Sequence, residues 1–540
     1  MKYLICQINS IVGDLEYNYQ KIIQDYRNSI DVDIVIFPEL ALTGYPLLDL
    51  ANNQEFIDKT QYYANLIVWE TMDRNNAILF GSISSVDNCL FNTAIFAYGG
   101  KVSDIIQKNH LPNYGVFNES RNFNSGYNQN IIHYKNRKIG VLICEDMWFD
   151  DIAAKYYNQD VSIFIAVNAS PYDTKKQDMR YKKASSIAAK YSKTLIYVNL
   201  IGAQDELVFD GGSFVIDNNA NYLLSPNFWS ENRIKFDDEN YNSNDEVKSY
   251  SGIEHIYQAL MLSLRDYMRK NNFETALVGL SGGIDSAMVS VIAADAIGSL
   301  NVNCKMLTGP FTTDQSINHA KIIAENINCN FSVIDINNIN DVFLNSLEHS
   351  FANKIKDVTE ENLQARIRGT VLMSISNKFG HMLISTSNKS EFAVGYSTLY
   401  GDMCGSFALI YDLYKTEIYE LIRWRNDHIP QGSLLKKLNI IPKEIIDKPP
   451  SAELNLNQKD SDSLPEYDIL DQILHGLIEL EISIEELAIK LNISSEFIKQ
   501  IETKIVKCEF KRRQSAIGPK ISVKAFNVER KYPITSRFKI

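Results

Sequence analysis

Residues 279–286 read Gly-Leu-Ser-Gly-Gly-Ile-Asp-Ser, between an apolar run, Thr275–Leu280, and an apolar helical stretch, Ala287–Ile297. A short buried strand that turns through glycines into a helix opens a βα unit, and such units build parallel sheets covered on both faces. Adjacent glycines let consecutive N–H groups converge on an anion, and the helix N-terminus adds partial positive charge. Asp285 repels a bare phosphate, so its place in the turn makes sense if a divalent cation bridges it to phosphate oxygens. The Gly-Lys-Ser/Thr ending of a Walker A loop is missing, and so is Gly-x-Gly-x-x-Gly. On these residues alone, a phosphate loop and a plain tight turn are equally good accounts.

Upstream lie short runs rich in β-branched and aromatic residues: Leu4–Ile8, Ile34–Phe37, Ala77–Phe80, Thr93–Ala97, Ile139–Ile143, Ile163–Val167 and Leu195–Val198. Each predicts a strand buried on at least one face. Helical patterns over Asn18–Asn28 and Gln54–Asn75 fall between some of them, which predicts a layered α/β domain. From Asp237 to Glu246 the chain is polar, acidic and aperiodic, as a linker is. Ile253, Ile256, Tyr257, Leu260, Leu264 and Tyr267 then recur at helical spacing and open a second domain. The expected boundaries are 1–240, a linker at 241–252, and 253–540. A chain of 540 residues would ordinarily make three or four domains of ~150 residues, or two large ones. A second polar stretch, Ser451–Asp468, carries five acidic residues and one Lys and reads as a mobile loop of the kind that covers active sites.

Several classes are excluded early. Lys+Arg 54 against Asp+Glu 66 leaves a net charge of −12, which disfavours non-specific binding to nucleic acid or an anionic membrane. The seven cysteines are scattered, with no Cys-x-x-Cys pair, which argues against a disulfide framework and a structural zinc. No run approaches the ~18 apolar residues of a membrane helix, and the N-terminal apolar stretch is too short for a signal peptide. A cytoplasmic protein is expected.

Three strand ends carry reactive residue types. Cys144 follows Lys138–Ile143, Glu39 follows Ile34–Phe37, and Lys108 follows Val102–Ile106. Strand-end turns present nucleophiles exposed. A thiol needs a base to become a thiolate, which Glu39 can supply. Lys108 can stabilise the thiolate and a developing oxyanion. His110 offers a Cys–His alternative; on an extended segment it would point the same way as Lys108, and Lys108 is preferred.

The order Glu39, Lys108, Cys144 resembles the nitrilase (carbon–nitrogen hydrolase) superfamily over residues 1–240, and Glu119 resembles the extra glutamate such enzymes keep near the triad. Ser281-Gly282-Gly283-Ile284-Asp285-Ser286 resembles the pyrophosphate loop of ATP pyrophosphatases. Together these imply an α/β chain: a nitrilase-like αββα sandwich domain, then a Rossmann-like parallel-sheet ATP pyrophosphatase domain. Such a pairing resembles the glutamine-dependent NAD(+) synthetase family. Segments 361–369, 385–391, 399–403 and 510–514 match that family as well, so the resemblance spans the chain.

The resemblance implies that Cys144 releases ammonia from glutamine, while ATP adenylates deamido-NAD and ammonia converts the adenylate to NAD. It makes Tyr114, Glu119, Ser170 and Lys176 glutamine-binding residues, with Lys175 a possible substitute for Lys176. It assigns ATP to Gly279, Leu280, Ser281, Gly282, Gly283, Ile284, Asp285, Ser286, Thr386 and Lys415. Asn362, Arg366, Glu391 and Lys511 are implied deamido-NAD contacts, with Asp285 and Glu391 as Mg2+ ligands. The implied partners are glutamine, ATP, deamido-NAD and a second copy of the chain through the synthetase domain, with no nucleic acid and no membrane. Leu399 stands where ammonia-dependent synthetases carry a Lys, so roles assigned there do not transfer.

The chief rival is another amidotransferase sharing the pyrophosphate loop. Lys2 stands where asparagine synthetase places its nucleophilic Cys, and Cys144 lacks the flanking glycines of GMP synthetase. Ile484–Ile498 looks like a helix-turn-helix, but its second helix offers Glu496 and few cations ahead of Lys499, a poor reader of bases and phosphates.

Overall fold

The computed structural model describes residues 1–127, 130–240, 252–352, 354–526 and 528–537. The chain divides into two compact units, Met1–Ser251 and Gly252–Ile540. Residues 241–251 of the expected linker lie outside the described residues. Asp237 and Asp238, read as the linker's start, belong to the first unit. Asp237 ends the strand Asn232–Asp237, which pairs with Lys2–Gln7, and Asp238 holds the N-terminal ammonium.

The first unit is the expected αββα sandwich. Its six-stranded sheet runs in the order Asn232–Asp237, Lys2–Gln7, Ile34–Ile36, Ala77–Val86, Cys89–Tyr98, Lys101–Gln107. Its seven-stranded sheet is built around Arg137–Ile143, Ile163–Asn168 and Thr194–Asn199, which are parallel. Strand alternation drives the layering. Tyr3, Ile5, Ile34 and Ile36 from one sheet meet Ile139, Val141, Ile143 and Ile165 from the other in a single buried core. The opposite faces take the helices: Leu15–Arg27 and Gln54–Trp69 contribute to one outer core, Asp150–Asn158 and Lys176–Tyr191 to the other. The second of these helices stops at Trp69, short of the pattern read to Asn75.

Among the described residues the second unit has one five-stranded sheet, all parallel, in the order Asn330–Asp335, Val302–Thr308, Ala276–Gly279, Met382–Ser385, Phe407–Ala408. The chain starts in the middle strand and winds outward in both directions. The carboxyl end of Ala276–Gly279 is therefore the switch point where open α/β sheets bind ligands. Helix Ile284–Ile297 is buried almost all round, which explains its uniformly apolar sequence. Helices Ile484–Leu491 and Ser495–Lys507, the helix-turn-helix look-alike, pack Leu487, Ile498, Ile501 and Ile505 into a core shared with Tyr467–Ile478. Among the described residues no helix is long and apolar enough to cross a membrane.

Candidate active sites

In the first unit the three strand ends converge. Lys108 Nζ lies 2.7 Å from Glu39 Oε1 and 2.8 Å from Glu119 Oε1, all three side chains being buried. Glu39 is held from two further directions, by Asn92 Nδ2 at 2.7 Å and by the Ala169 N–H at 2.7 Å. Gly81 has a structural reason for lacking a side chain: a Cβ there would collide with the backbone of Pro38 and Leu40, the turn that presents Glu39.

Cys144 begins a 3-10 turn at φ +47°, a left-handed conformation that a non-glycine residue holds only when its surroundings impose it. Asp146 imposes it here. Its carboxylate accepts the N–H groups of Asn109 (3.0 Å), His110 (2.8 Å) and Ile143 (3.3 Å), so one side chain ties the Lys108 segment to the Cys144 turn.

Burial and the neighbouring Glu39 push the Cys144 thiol well above its ordinary range, and Lys108 opposes them. Burial alone would lower the Lys108 ammonium, but Glu119 and Glu39 outweigh it and hold it charged. Desolvation lifts Glu119 to about 7. The resting site therefore keeps a protonated thiol beside a fixed cation and a carboxylate base, the set needed for nucleophilic attack on an amide.

The predicted substrate residues surround this centre. The Tyr114 hydroxyl donates to both oxygens of Glu145 at 3.0 Å. Ser170 is gripped by buried Arg180, which donates to its Oγ and carbonyl and is itself paired with Asp210 at 2.8 Å. Lys176 is half-buried with its ammonium 5.0 Å from the Trp148 ring centre, whereas Lys175 is exposed, which separates the two. His110 turns away, stacking on Phe149 and pairing with Asp151 at 2.9 Å.

In the second unit, the turn 279–286 forms one wall of a cleft of about 280 Å³. Gly282, at φ +80°, abuts the Ser316 carbonyl so closely that no Cβ fits. Ser281 and Ser286 hydroxyls lie 3.0 Å apart and brace the loop, and Ser286 Oγ also donates to the Gly283 carbonyl at 3.0 Å. Lys415 Nζ sits 2.5 Å from Asp285 and 3.4 Å from Glu391. Burial lifts Glu391 to about 8 against the pull of Lys415. Thr386 also lines the cleft.

The two halves of the chain match the families called carbon-nitrogen hydrolase, over residues 5–236, and NAD synthase, over residues 256–515. A glutamine-dependent NAD(+) synthetase of Acinetobacter baylyi is 38% identical over 99% of this chain and 98% of its own length. The chain belongs to the glutamine-dependent NAD(+) synthetases. A relative of that name from Thermotoga maritima is also 38% identical, over 100% of this chain and 99% of its own. The structure of the Acinetobacter baumannii glutamine-dependent NAD(+) synthetase, in complex with ADP, is 36% identical and aligns over 99% of this chain and 98% of its own with a TM-score of 0.78.

In the second unit, Asn362, Arg366 and Lys511 are absent from the cleft lining. They converge instead on one segment. Lys511 donates to the carbonyls of Gly395 and Ser397, both at 2.7 Å, Arg366 donates to that of Leu399 at 3.2 Å, and Asn362 accepts from the Thr398 hydroxyl at 2.8 Å. That segment carries Tyr396, which does line the cleft.

Sequence reasoning passed over Glu145 and Asp146, although both adjoin Cys144. It also passed over Arg368. Two residues apart on a helix, Arg366 and Arg368 diverge by more than half a turn, and it is Arg368 that enters the cleft, half-buried and lowered by desolvation to about 10. Lys448, Glu453 and Asp460, around and within the acidic stretch 451–468, line it too.

Among the described residues no group of three or more His, Cys, Asp or Glu is arranged for a metal ion. Asp285 and Glu391 offer two oxygen-donor side chains on one lysine. That suits Mg2+, which takes one or two carboxylates and completes its shell with phosphate oxygens and water.

Proposed function

We propose that residues 1–240 release ammonia from glutamine and that residues 253–540 use it, with ATP, to convert deamido-NAD to NAD. The observation that carries the first half is the buried Lys108–Glu39 pair beside Cys144. Glu39 takes the thiol proton as Cys144 sulfur bonds to the amide carbon and passes it to the amide nitrogen as the C–N bond breaks, so ammonia leaves. Water then cleaves the thioester to glutamate. Lys108 stabilises the oxyanion, and Glu145, Tyr114, Ser170 and Lys176 supply polar groups of both signs for the amino-acid end of glutamine.

In the cleft of the second unit, the loop 279–286, Thr386, Arg368 and Lys415 bind ATP. The nicotinate carboxylate of deamido-NAD attacks the α-phosphorus, and pyrophosphate leaves toward the loop. Asn362, Arg366 and Lys511 act on this substrate by setting the segment 395–399, and Glu391 contacts it directly. Mg2+ held by Asp285 and Glu391 would neutralise phosphate charge there. Ammonia then displaces AMP from the acyl carbon.

A dimer through the second unit is supported by Ile339, Val342 and Phe343, exposed on one face of helix Asn337–Phe351. The seven free cysteines support a reducing, cytoplasmic setting.

The deciding experiment is NAD formation from ATP, deamido-NAD and either glutamine or ammonium. Cys144→Ala is expected to abolish the glutamine-supported rate and leave the ammonium-supported rate intact. Survival of both rates sinks the Cys144 assignment, and absence of NAD with ammonium sinks the function.

A further inference from the structure

Asn92, in the strand Cys89–Tyr98, is 1% exposed and bridges two members of the first site. Its Nδ2 donates to Glu39 Oε1 at 2.7 Å, and its backbone carbonyl accepts the Lys108 N–H at 2.9 Å. Its Oδ1 is buried and has no hydrogen-bond partner among the described residues. Turned the other way, the amide would set Oδ1 against a carboxylate oxygen, acceptor against acceptor. An amide buried with one end unmet is costly, and a leucine of like shape would leave no such atom. What the side chain provides in return is its bond to Glu39.

The donors on Glu39 give that bond its meaning. Each oxygen of a carboxylate carries two lone pairs. Oε1 meets two donors, Lys108 Nζ at 2.7 Å and Asn92 Nδ2 at 2.7 Å. Oε2 meets one, the Ala169 N–H at 2.7 Å. No other donor among the described residues reaches Glu39, so Oε1 is filled and the open lone pair lies on Oε2.

We infer that Asn92 is a positioning residue of the glutaminase step: by filling the second lone pair of Oε1, it leaves Oε2 as the atom that takes the Cys144 proton. This rests on the function proposed above. The proton passes from sulfur to Oε2 as the sulfur–carbon bond forms, and from Oε2 to the amide nitrogen as the C–N bond breaks. Without the Asn92 amide each oxygen has an open lone pair. The one on Oε1 then takes the proton beside the Lys108 ammonium, where like charges repel.

The test uses the full chain and two readouts. Release of glutamate from glutamine separates kcat from KM, and mass spectrometry of iodoacetamide labelling at Cys144 reads removal of the thiol proton with no substrate present. Asn92→Leu keeps the backbone carbonyl that holds Lys108 and removes the donor to Glu39. It is expected to lower kcat about tenfold or more, with KM for glutamine within about twofold of the wild type, and to slow labelling by a similar factor. Asn92→Ser, a smaller change with a shorter donor, is expected to lower both rates less, and it carries the test if the leucine variant does not fold. Because Asn92 acts through Glu39, adding Asn92→Leu or Asn92→Ser to Glu39→Gln is expected to slow labelling by no more than about twofold beyond Glu39→Gln alone. Equal slowing in both backgrounds overturns the inference, since Asn92 would then serve the fold. Unchanged kcat and labelling in the Asn92 variants overturn it too. Wild-type labelling and glutamate release in Glu39→Gln overturn the base in the proposed function itself, and this inference with it.

Discussion

The Lys108 ammonium lies 2.7 Å from Glu39 Oε1, with both side chains fully buried. A second carboxylate, Glu119, meets the same ammonium at 2.8 Å. Removing one partner of a buried ion pair leaves uncompensated charge, which costs about 3–5 kcal/mol. Lys108→Met strands two carboxylates at once. Urea unfolding should show the first unit weakened by about that amount, and the glutamine-supported rate should vanish. The ammonium-supported rate measured below the new transition should persist. A Lys108→Met chain of wild-type stability and glutaminase rate would mean that the ion pair is dispensable.

Glu119 is expected to set the acid limb of the pH dependence of this site. Its carboxyl, lifted to about 7 by burial, is ionised above that value and supports the charge on Lys108. As pH falls through 7 the support is lost. The glutamine-supported kcat/KM should therefore drop on the acid side with an apparent pKa near 7. Glu119→Gln, which cannot titrate, should be slower at pH 8 and lack that acid limb. An acid limb that survives in Glu119→Gln assigns the titration elsewhere.

The parts of these sites that could be read from sequence are those set by local chain geometry. Glu39, Lys108 and Cys144 each follow a strand, and the loop 279–286 joins a strand to a helix, so their positions were legible, while the roles expected of them came with the family resemblance. Asp146 and Arg368 escaped because their roles depend on partners far along the chain. Asp146 meets Asn109 and His110, 37 and 36 positions away. Arg368 was hidden by helix phase: Arg366 lies in the same motif and points elsewhere. The layered α/β character of both units was legible in the short apolar runs and in the strand, turn and apolar helix over 275–297, while the αββα sandwich came with the family resemblance. Helix ends and the last residues before the linker were not legible, because Asp237 and Asp238 are polar yet held by Lys2 and the N-terminal ammonium.

Arg368 gives a prediction that separates these two arginines. Its guanidinium donates to the Leu307 carbonyl at 3.3 Å and faces the cleft, where a charge-assisted bond to phosphate is worth roughly 1.5–3 kcal/mol. Arg368→Ala should raise KM for ATP by about 10- to 100-fold. Arg366→Ala should instead raise KM for deamido-NAD, since its hydrogen bond sets the segment 395–399. The reverse pattern in initial-rate kinetics would exchange their roles.

Asp285 belongs to the turn 279–286 and pairs with Lys415 at 2.5 Å. Asp285→Ala leaves that buried ammonium with Glu391 at 3.4 Å and removes one of the two oxygen donors proposed for Mg2+. Both the glutamine- and the ammonium-supported rates should fall at least about 100-fold, a loss of the size seen when a group stabilising transition-state charge is deleted. Cleavage of ATP to AMP and pyrophosphate should stop as well. Continued cleavage in this variant would remove Asp285 from the adenylation step.

Asp146 joins stability to pH. Burial raises its carboxyl from 3.8 to about 6, against the three N–H groups that favour its charge. The folded state thus binds this proton more tightly than the unfolded state. The contribution of Asp146 to stability is greatest below the unfolded value of 3.8, declines as pH rises, and reaches its minimum above 6. A shift from 3.8 to about 6 corresponds to roughly 3 kcal/mol over that window. Asp146→Asn removes the proton exchange, so the unfolding free energy of the first unit should change less between pH 4 and 7 than it does in the wild type. The amide also presents N–H where Oδ2 accepted from Ile143, which unsettles the left-handed turn at Cys144. Glutamine-supported kcat should fall while the ammonium-supported rate holds. A wild-type glutaminase rate in Asp146→Asn would show that the turn keeps its shape without this carboxylate.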